Sequence, residues 1–215
     1  GKSVQTGIID AWNRGMKFPT IITGFLITIL MSLMSATAGP VVYWAGLTAE
    51  QGNRIDLETS EKSTFRIQSS QAASSFASPV LAVDEADNKV LTTYNRFKDG
   101  DLTEYIIRMN PDGSAVEELL ELSRDRETLA ELVVSETARR IYWIEEGETA
   151  GDASVLRSAG MDGSDPRLHD SVEGGGSLSG LVVDDEREQV LYIRNDGTNL
   201  EVQRMNHDGT GLETA

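Results

Sequence analysis

The distribution of apolar and charged residues divides the chain into two unequal parts. Residues 18–47 contain no charged side chain, and residues 21–34 (IITGFLITILMSLM) are densely apolar. From residue 80 onward, short apolar stretches alternate with charged tips. A long uncharged run of about 20 residues is typical of a membrane-spanning helix, whereas short apolar stretches separated by turns are typical of β-strands. The pattern predicts a helical anchor followed by an all-β body.

We expect the anchor to be one transmembrane α-helix over residues 18–41. Basic residues precede it (Lys2, Arg14, Lys17) and acidic residues follow it, so the positive-inside rule places the N-terminus in the cytoplasm and the body outside it. The predicted anchor residues are Phe18, Ile21, Ile22, Phe25, Leu26, Ile29, Leu30 and Leu33, with Tyr43 and Trp44 at the headgroup layer.

Two alternatives remain open for this region. Ala36-Thr37-Ala38 before Gly39 has the small-x-small form of a signal-peptide cleavage site, so the segment is also compatible with a processed leader. Tyr43 and Trp44 are equally compatible with the start of a first strand.

The body is repetitive. LAVDEADNKVL begins at Leu81, LVVSETARRIY at Leu132 and LVVDDEREQVL at Leu181, which gives offsets of 51 and 49 residues. Each copy has two apolar stretches around a charged tip, the pattern of a β-hairpin.

A second element follows in each copy, as YIIRMNPDGS, VLRSAGMDGS and VQRMNHDGT. Asp-Gly is a strong turn signal, because glycine adopts positive φ at low cost. The predicted turn residues are Asp112, Gly113, Asp162, Gly163, Asp208 and Gly209. The pattern therefore predicts four strands in each copy. Four-stranded repeats of about 40–50 residues are typical of propeller blades, so the sequence predicts a partial or small β-propeller.

The second and third strand signals of the middle copy, with its Asp-Gly turn, resemble a known repeat. Ile141-Tyr142-Trp143-Ile144, with Arg157 and the MDGS of residues 161–164, is similar to the YWTD (class B) repeats of the low-density lipoprotein receptor, and TolB-like repeats are also similar. The resemblance covers roughly residues 80–215 and implies a propeller of four-stranded blades. A partial earlier copy is suggested by VYWA (residues 42–45) followed by RIDL (residues 54–57).

These patterns predict four segments. Residues 1–17 form a cytoplasmic or interfacial segment, residues 18–41 the helix, residues 42–79 a membrane-proximal linker or partial blade, and residues 80–215 about three blades. Residues 1–39 carry a formal charge of about +2 and the rest of the chain about −18, which together give the net charge of −16. The acidic body disfavours nucleic acid and anionic lipid surfaces as partners. With no cysteine, disulfides and thiolate metal sites are excluded.

Candidate chemistry is sparse. Acidic clusters such as Glu145-Glu146, Glu117-Glu118 and Asp184-Asp185-Glu186 lack the alternating ligands of a calcium loop, which favours solvated turns. The recurrent arginines Arg108, Arg157 and Arg204 are expected to pair with carboxylates of neighbouring blades, the alternative being a cationic rim for an acidic ligand. No catalytic, cofactor or metal residue is predicted, and we expect a protein that is not an enzyme; propeller enzymes with metal-binding carboxylates near the axis are the alternative.

The leading hypothesis is an accessory or scaffold subunit of a bacterial photosynthetic, respiratory or envelope complex in the inner membrane. Its helix would pack in the lipid bilayer against integral membrane subunits, and its propeller would make protein contacts on the periplasmic face. The alternative is a membrane-tethered receptor or sensor whose propeller binds an extracytoplasmic peptide, glycan or protein.

Overall fold

Within the residues that the structure describes, the chain forms four antiparallel sheets of four strands each. This computed structural model describes residues 30–32, 41–45, 51–56, 59–66, 75–98, 101–122, 128–146 and 152–215. Each sheet is a meander in which consecutive strands pair, and we call the sheets blades A to D.

The strands follow one another along the chain, four to a blade. Blade A contains β1 (Leu30–Ser32), β2 (Val41–Ala45), β3 (Gln51–Asp56) and β4 (Lys62–Arg66). Blade B contains β5 (Ser75–Asp84), β6 (Lys89–Lys98), β7 (Asp101–Met109) and β8 (Glu117–Glu121). Blade C contains β9 (Thr128–Ser135), β10 (Arg140–Glu146), β11 (Ser154–Gly160) and β12 (Arg167–Val172). Blade D contains β13 (Ser177–Asp184), β14 (Gln189–Asn195), β15 (Leu200–Asn206) and β16 (Glu213–Thr214).

The first hairpin turn has the same construction in blades B, C and D. Its first residue accepts a hydrogen bond from the backbone N–H three residues later: Asp84 from Asp87 at 3.1 Å, Ser135 from Ala138 at 3.0 Å and Asp184 from Arg187 at 3.0 Å. Its fifth residue has positive φ, at 50° for Asn88, 50° for Arg139 and 56° for Glu188. The charged tips seen in the sequence are therefore local turns closed by their own side chains.

The blades pack face to face through three apolar clusters. One joins blades A and B around Phe65, Tyr94 and Ile107. The second joins blades B and C around Leu91, Ile141 and Trp143, and the third joins blades C and D around Tyr142, Tyr192 and Met205. Because side chains alternate between the two faces of a strand, each of blades B and C contributes one apolar face to the blade before it and the other to the blade after it.

The first strands of successive blades lie side by side, β5 next to β9 and β9 next to β13. At one point a side chain connects them. The carboxylate of Glu131 in β9 accepts hydrogen bonds from the N–H groups of Gly180 at 2.7 Å and Leu181 at 2.6 Å, where the pairing of β13 with β14 shifts register. The carboxylate thus satisfies donors that the bulge removes from the ladder.

The prediction of an all-β architecture of four-stranded antiparallel blades is confirmed. The three copies recognised in the sequence are blades B, C and D, and residues 42–45 and 54–56 of the suggested earlier copy lie in β2 and β3 of blade A.

The predicted membrane helix meets the described residues at Leu30–Ser32, and there it is wrong: these residues form β1, paired with β2. A short apolar run is compatible with either a helix or a buried strand, which is why periodicity alone misassigned it. Val41, the last residue of the predicted helix, lies in β2 and is also wrongly assigned, whereas residues 18–29 and 33–40 lie outside the described residues. Across the described ranges, no helix has the length and apolar character needed to span a bilayer.

Candidate functional site

Both kinds of turn lie at one end of each blade. The register places Val90 opposite Met109, Arg140 opposite Gly160 and Gln189 opposite Asn206, so the first hairpin turn and the Asp-Gly turn are neighbours. We call these turns of blades B, C and D the acidic turn face; they are residues 84–88, 110–114, 135–139, 160–165, 184–188 and 206–210. These six segments contain twelve carboxylates and two arginines. A large share of the chain's negative charge is concentrated here.

The predicted Asp-Gly residues lie in the turns between the third and fourth strands. In blade B, the carboxylate of Asp112 accepts hydrogen bonds from the Ser114 N–H at 2.9 Å and the Ser114 hydroxyl at 2.6 Å. In blade D, Asp208 accepts the same pair from Thr210 at 2.9 and 2.6 Å. In blade C, the carboxylate of Asp162 accepts a hydrogen bond from the Ser164 N–H at 3.0 Å. The aspartate is therefore the acceptor that closes each turn.

The glycines of these turns have φ of 84°, 80° and 86° in blades B, C and D. Two of them also lie against the preceding blade. A Cβ on Gly163 would overlap the backbone carbonyl of Leu119 in β8, and a Cβ on Gly209 would overlap the ring of His169 in β12. Glycine is required both by the backbone conformation and by the close approach of the blades.

A chain of hydrogen bonds links the first hairpin turns of neighbouring blades, and we call it the turn relay. The N–H of Glu85 donates to the carboxylate of Glu136 at 2.6 Å, and the N–H of Glu136 donates to the carboxylate of Asp185 at 2.9 Å. The three residues occupy the second position of the turn in blades B, C and D. This role was not predicted, although an acid recurs at that position in all three copies.

An ion pair strengthens the relay between blades B and C. The Asp84 carboxylate is completely buried, and Arg139 donates to both of its oxygens at 2.9 and 3.2 Å. Arg139 also pairs with Asp87 at 2.6 Å and with Glu136 at 3.0 Å. Burial alone would raise the pKa of Asp84, but the hydrogen bonds from Arg139 and the Asp87 N–H outweigh it, so the pKa is lowered.

Hydroxyl groups take the place of the arginine between blades C and D. Asp185 accepts hydrogen bonds from the Ser135 hydroxyl at 2.5 Å and the Thr137 hydroxyl at 2.9 Å, and His207 Nε2 lies 3.6 Å from the same oxygen. Burial opposes the charge, but these hydrogen bonds prevail and the pKa of Asp185 is lowered. Ser135 is fully buried, so its hydroxyl is a structural donor here.

The charged form is favoured at five further aspartates of the acidic turn face. Hydrogen bonds from neighbouring hydroxyls lower the pKa of Asp112, Asp162 and Asp208, and guanidinium donors lower that of Asp165 and Asp184. Glu136 is the exception: burial and the nearby Asp84 charge raise its pKa.

The expected pairing of the recurrent arginines across blades is wrong. Arg108 pairs with Glu117 at 2.7 Å, Arg157 lies 3.4 Å from Glu145 and Arg204 pairs with Glu213 at 2.6 Å, each within its own blade. Each arginine lies in the third strand, and its carboxylate lies in the adjacent fourth or second strand. Side chains opposite each other in a ladder are closer than those of another blade.

Glu145 also differs from its predicted role as part of a solvated turn. It is 3% exposed, and its carboxylate accepts a hydrogen bond from the Trp143 indole at 2.7 Å. In the part of the chain that the structure describes, no group of three or more histidine or acidic side chains is arranged to hold a metal ion.

The predicted anchor residues are mostly outside the described ranges. Phe18, Ile21, Ile22, Phe25, Leu26, Ile29 and Leu33 lie there, whereas Leu30 is in β1 and Tyr43 and Trp44 are in β2. Of the predicted residues that the structure describes, Leu30, Tyr43 and Trp44 belong to blade A, and the turn residues belong to blades B, C and D.

No family model matches this sequence, and no curated protein matches it either. Solved structures do match in fold. A chain of the nidogen/laminin complex is 16% identical with a TM-score of 0.63, over 87% of this chain and 64% of that one. An oligogalacturonate lyase in complex with manganese is 10% identical with a TM-score of 0.59, over 81% and 49%, and a luciferin-regenerating enzyme is 11% identical with a TM-score of 0.54, over 81% and 56%. The chain thus spans about half to two thirds of the length of these proteins.

At such low identity these likenesses show the fold alone, which is that of a β-propeller built from four-stranded blades. They also correct one prediction. The conclusion that the protein is not an enzyme is wrong as an inference from missing motifs, because a lyase and a luciferin-regenerating enzyme share this architecture. The physical reason is that propellers can assemble a site from residues distant in sequence, which a search for local motifs does not detect.

Proposed function

We propose that this chain is a membrane-anchored β-propeller subunit that binds a basic protein partner through its acidic turn face. The observation that carries the proposal is the concentration of twelve carboxylates against two arginines in six turns at one end of the blades. Hydrogen bonds hold these turns in place, so the negative charge is presented in a fixed arrangement. A fixed field of one sign favours a partner of the opposite sign.

The chemistry of the partner follows from the sign of this field. Nucleic acids and anionic lipid headgroups would be repelled, whereas lysine and arginine side chains of a protein would be attracted. The nidogen/laminin complex contains the same fold in a protein–protein assembly, which supports this use of the blades.

The anchor is the second part of the proposal. Basic side chains and then the uncharged residues 18–29 precede blade A, and this pattern supports a membrane tether that places the propeller on the periplasmic or extracellular side. The partners would then be integral membrane subunits of one complex, with a basic extracytoplasmic segment facing the turns.

The test is purification from native membranes in mild detergent, followed by mass spectrometry of the chains that co-purify in stoichiometric amounts. We expect a fixed set of integral subunits, lost progressively as salt is raised because the contact is electrostatic. A chain that purifies alone at low salt would contradict the complex and would favour a tethered receptor.

Charge reversal locates the contact. Glu186→Lys combined with Glu188→Lys alters two exposed carboxylates of the acidic turn face, and Glu146→Lys alters an exposed carboxylate at the opposite end of blade C. We expect the double variant to reduce co-purification several-fold and the control to leave it unchanged. Equal effects of both variants would argue against the acidic turn face as the contact.

A further inference from the structure

A cavity lies between blade A and blade B, beside the turns of blade B. Its volume is about 480 Å³, which is within the range of small-molecule sites in proteins. Blade A contributes Arg54 in β3 and Ser63 in β4 to its lining, and blade B contributes Asn88 of the first hairpin turn and Asp112 of the Asp-Gly turn. We call it the A–B cavity. It brings a guanidinium group to the side of blade A that adjoins these turns.

The third strands of blades B and D show what an arginine at this position of the repeat binds. Arg108 lies opposite Glu117, and its Nε–H donates to the Glu117 carboxylate at 3.1 Å. Arg204 lies opposite Glu213, and its Nε–H donates to that carboxylate at 2.9 Å. A guanidinium group binds a carboxylate through two of its N–H groups at once, which makes this partner specific. The repeat itself thus identifies a carboxylate as the group that this arginine binds.

Blade A has the arginine of the repeat but a serine in place of the acid. Arg54 occupies the equivalent position of β3, and the ladder pairs it with Ser63. Within the residues that the structure describes, the Nε atom of Arg54 is buried and has no hydrogen-bond acceptor. A buried donor without an acceptor is unfavourable. A carboxylate brought by a ligand would supply both the acceptor and the opposite charge.

The rest of the lining restricts the kind of carboxylate. Pro111 and Phe65 offer apolar contact, and the Ser63 hydroxyl and the Asn88 amide offer polar contact, which suits a small organic molecule. Asp112 and the net charge of −16 repel a ligand that carries several negative charges. A single carboxylate on a small body therefore fits this cavity better than a phosphate or a polyanion.

We propose that the A–B cavity binds a small organic monocarboxylate. The ligand carboxylate takes the place on Arg54 that the side chain of Glu117 takes on Arg108 in blade B. The cavity borders the acidic turn face, but it recognises an anion rather than a basic protein. The site therefore goes beyond the proposed function and does not rest on it.

The test uses the whole chain, purified in mild detergent, with benzoate as the probe. Saturation-transfer NMR spectroscopy measures its binding, and benzamide, which has nearly the same shape but no charge, is the matched control. We expect benzoate to bind with a dissociation constant of about 1 mM, to weaken as salt is raised, and to bind about tenfold more tightly than benzamide. Equal binding of the two, or no binding of benzoate at about 10 mM, would overturn the proposal.

A pair of matched variants locates the carboxylate on Arg54. Arg54→Gln removes the charge and should weaken benzoate binding about tenfold, because a charge-assisted hydrogen bond is lost. Arg108→Gln makes the same change at the equivalent position of blade B, where Glu117 already occupies the arginine, and should leave benzoate binding unchanged. Equal losses in both variants, or no loss in either, would mean that benzoate binds elsewhere.

Ser63→Glu supplies within the chain the acid that blade B has at Glu117. Residue 63 is exposed, so we expect this variant to fold even if Arg54→Gln does not. It should abolish benzoate binding, whereas Ser63→Gln, of similar size and without charge, should retain more of it. Undiminished binding to Ser63→Glu would contradict the proposal. Benzoate binding is measured on the purified chain, so it is independent of the membrane co-purification that tests the proposed function.

Discussion

Asp84 and Arg139 are 55 residues apart in the chain, yet the guanidinium of Arg139 contacts both oxygens of the completely buried Asp84 carboxylate. The pair joins blade B to blade C at the turn end, beside the hydrogen bond from Glu85 to Glu136. A buried carboxylate without its cation is costly, which makes this contact a sensitive point for stability.

Arg139→Ala should therefore destabilise the protein by about 2 kcal/mol, a value reduced from that of a fully buried pair because Arg139 is partly exposed. Arg187→Ala is the matched control, since its pair with Asp184 lies on the surface, and it should destabilise the protein clearly less. Chemical denaturation of both variants measures the difference, and equal losses would show that the Asp84 pair contributes little.

Gly163→Ala should be more damaging than Gly197→Ala, although both glycines have positive φ. The methyl group at residue 197 meets nothing within 4 Å, so the cost is that of the backbone conformation, about 1 kcal/mol. At residue 163 the methyl group also overlaps the Leu119 carbonyl, and we expect about 3 kcal/mol or more. Thermal unfolding compares the two, and a similar loss for both would mean that β8 moves away freely.

Glu131→Ala should loosen the contact between the first strands of blades C and D. It leaves the N–H groups of Gly180 and Leu181 without their carboxylate, at a cost of about 1–3 kcal/mol. Glu117→Ala removes a surface pair with Arg108 and serves as the control. Hydrogen exchange should show faster exchange at residues 180 and 181 in the first variant alone; unchanged rates there would refute the role given to Glu131.

The stability should fall as the pH drops from about 6.5 to about 4, because of His169. Burial, with Arg140 and Arg167 nearby, lowers the pKa of His169 to about 4. Since an unfolded histidine titrates near 6.5, the unfolded chain takes up a proton in this window that the folded protein does not, and folding loses up to about 3 kcal/mol.

His169→Gln should flatten this part of the pH profile while keeping a polar group beside the Ser158 hydroxyl, which lies 2.7 Å from Nε2. The free energy of unfolding, measured by denaturation at half-unit steps of pH, checks the slope. An identical slope in the variant would assign the loss to other groups.

The sequence was informative where structure is local. The hairpin of each blade and the Asp-Gly turns are encoded within a few residues, by alternation and by glycine at positive φ, and the repeat itself indicated four-stranded blades. β1 was misassigned because an apolar run carries no periodicity that separates a strand from a helix.

The contacts between blades could not be predicted from the sequence. Nothing local distinguishes Glu136, which accepts a hydrogen bond from the preceding blade, from a solvated acid, because the donor lies 51 residues away. The recurrent arginines were assigned to the wrong partners for the same reason: the position of a carboxylate on an adjacent strand depends on register, which the sequence did not specify.

The turn relay also limits how such a protein can be shortened, lengthened or recombined. Because a backbone N–H in one blade donates a hydrogen bond to a carboxylate in the next, the modular unit is the junction between two blades rather than the blade itself. A duplication or graft could preserve every strand and still change the acid at the second turn position. The backbone N–H of the preceding blade would then have no acceptor at the junction between the two blades. Whether two repeats can pack as neighbours therefore depends on a single residue of each turn.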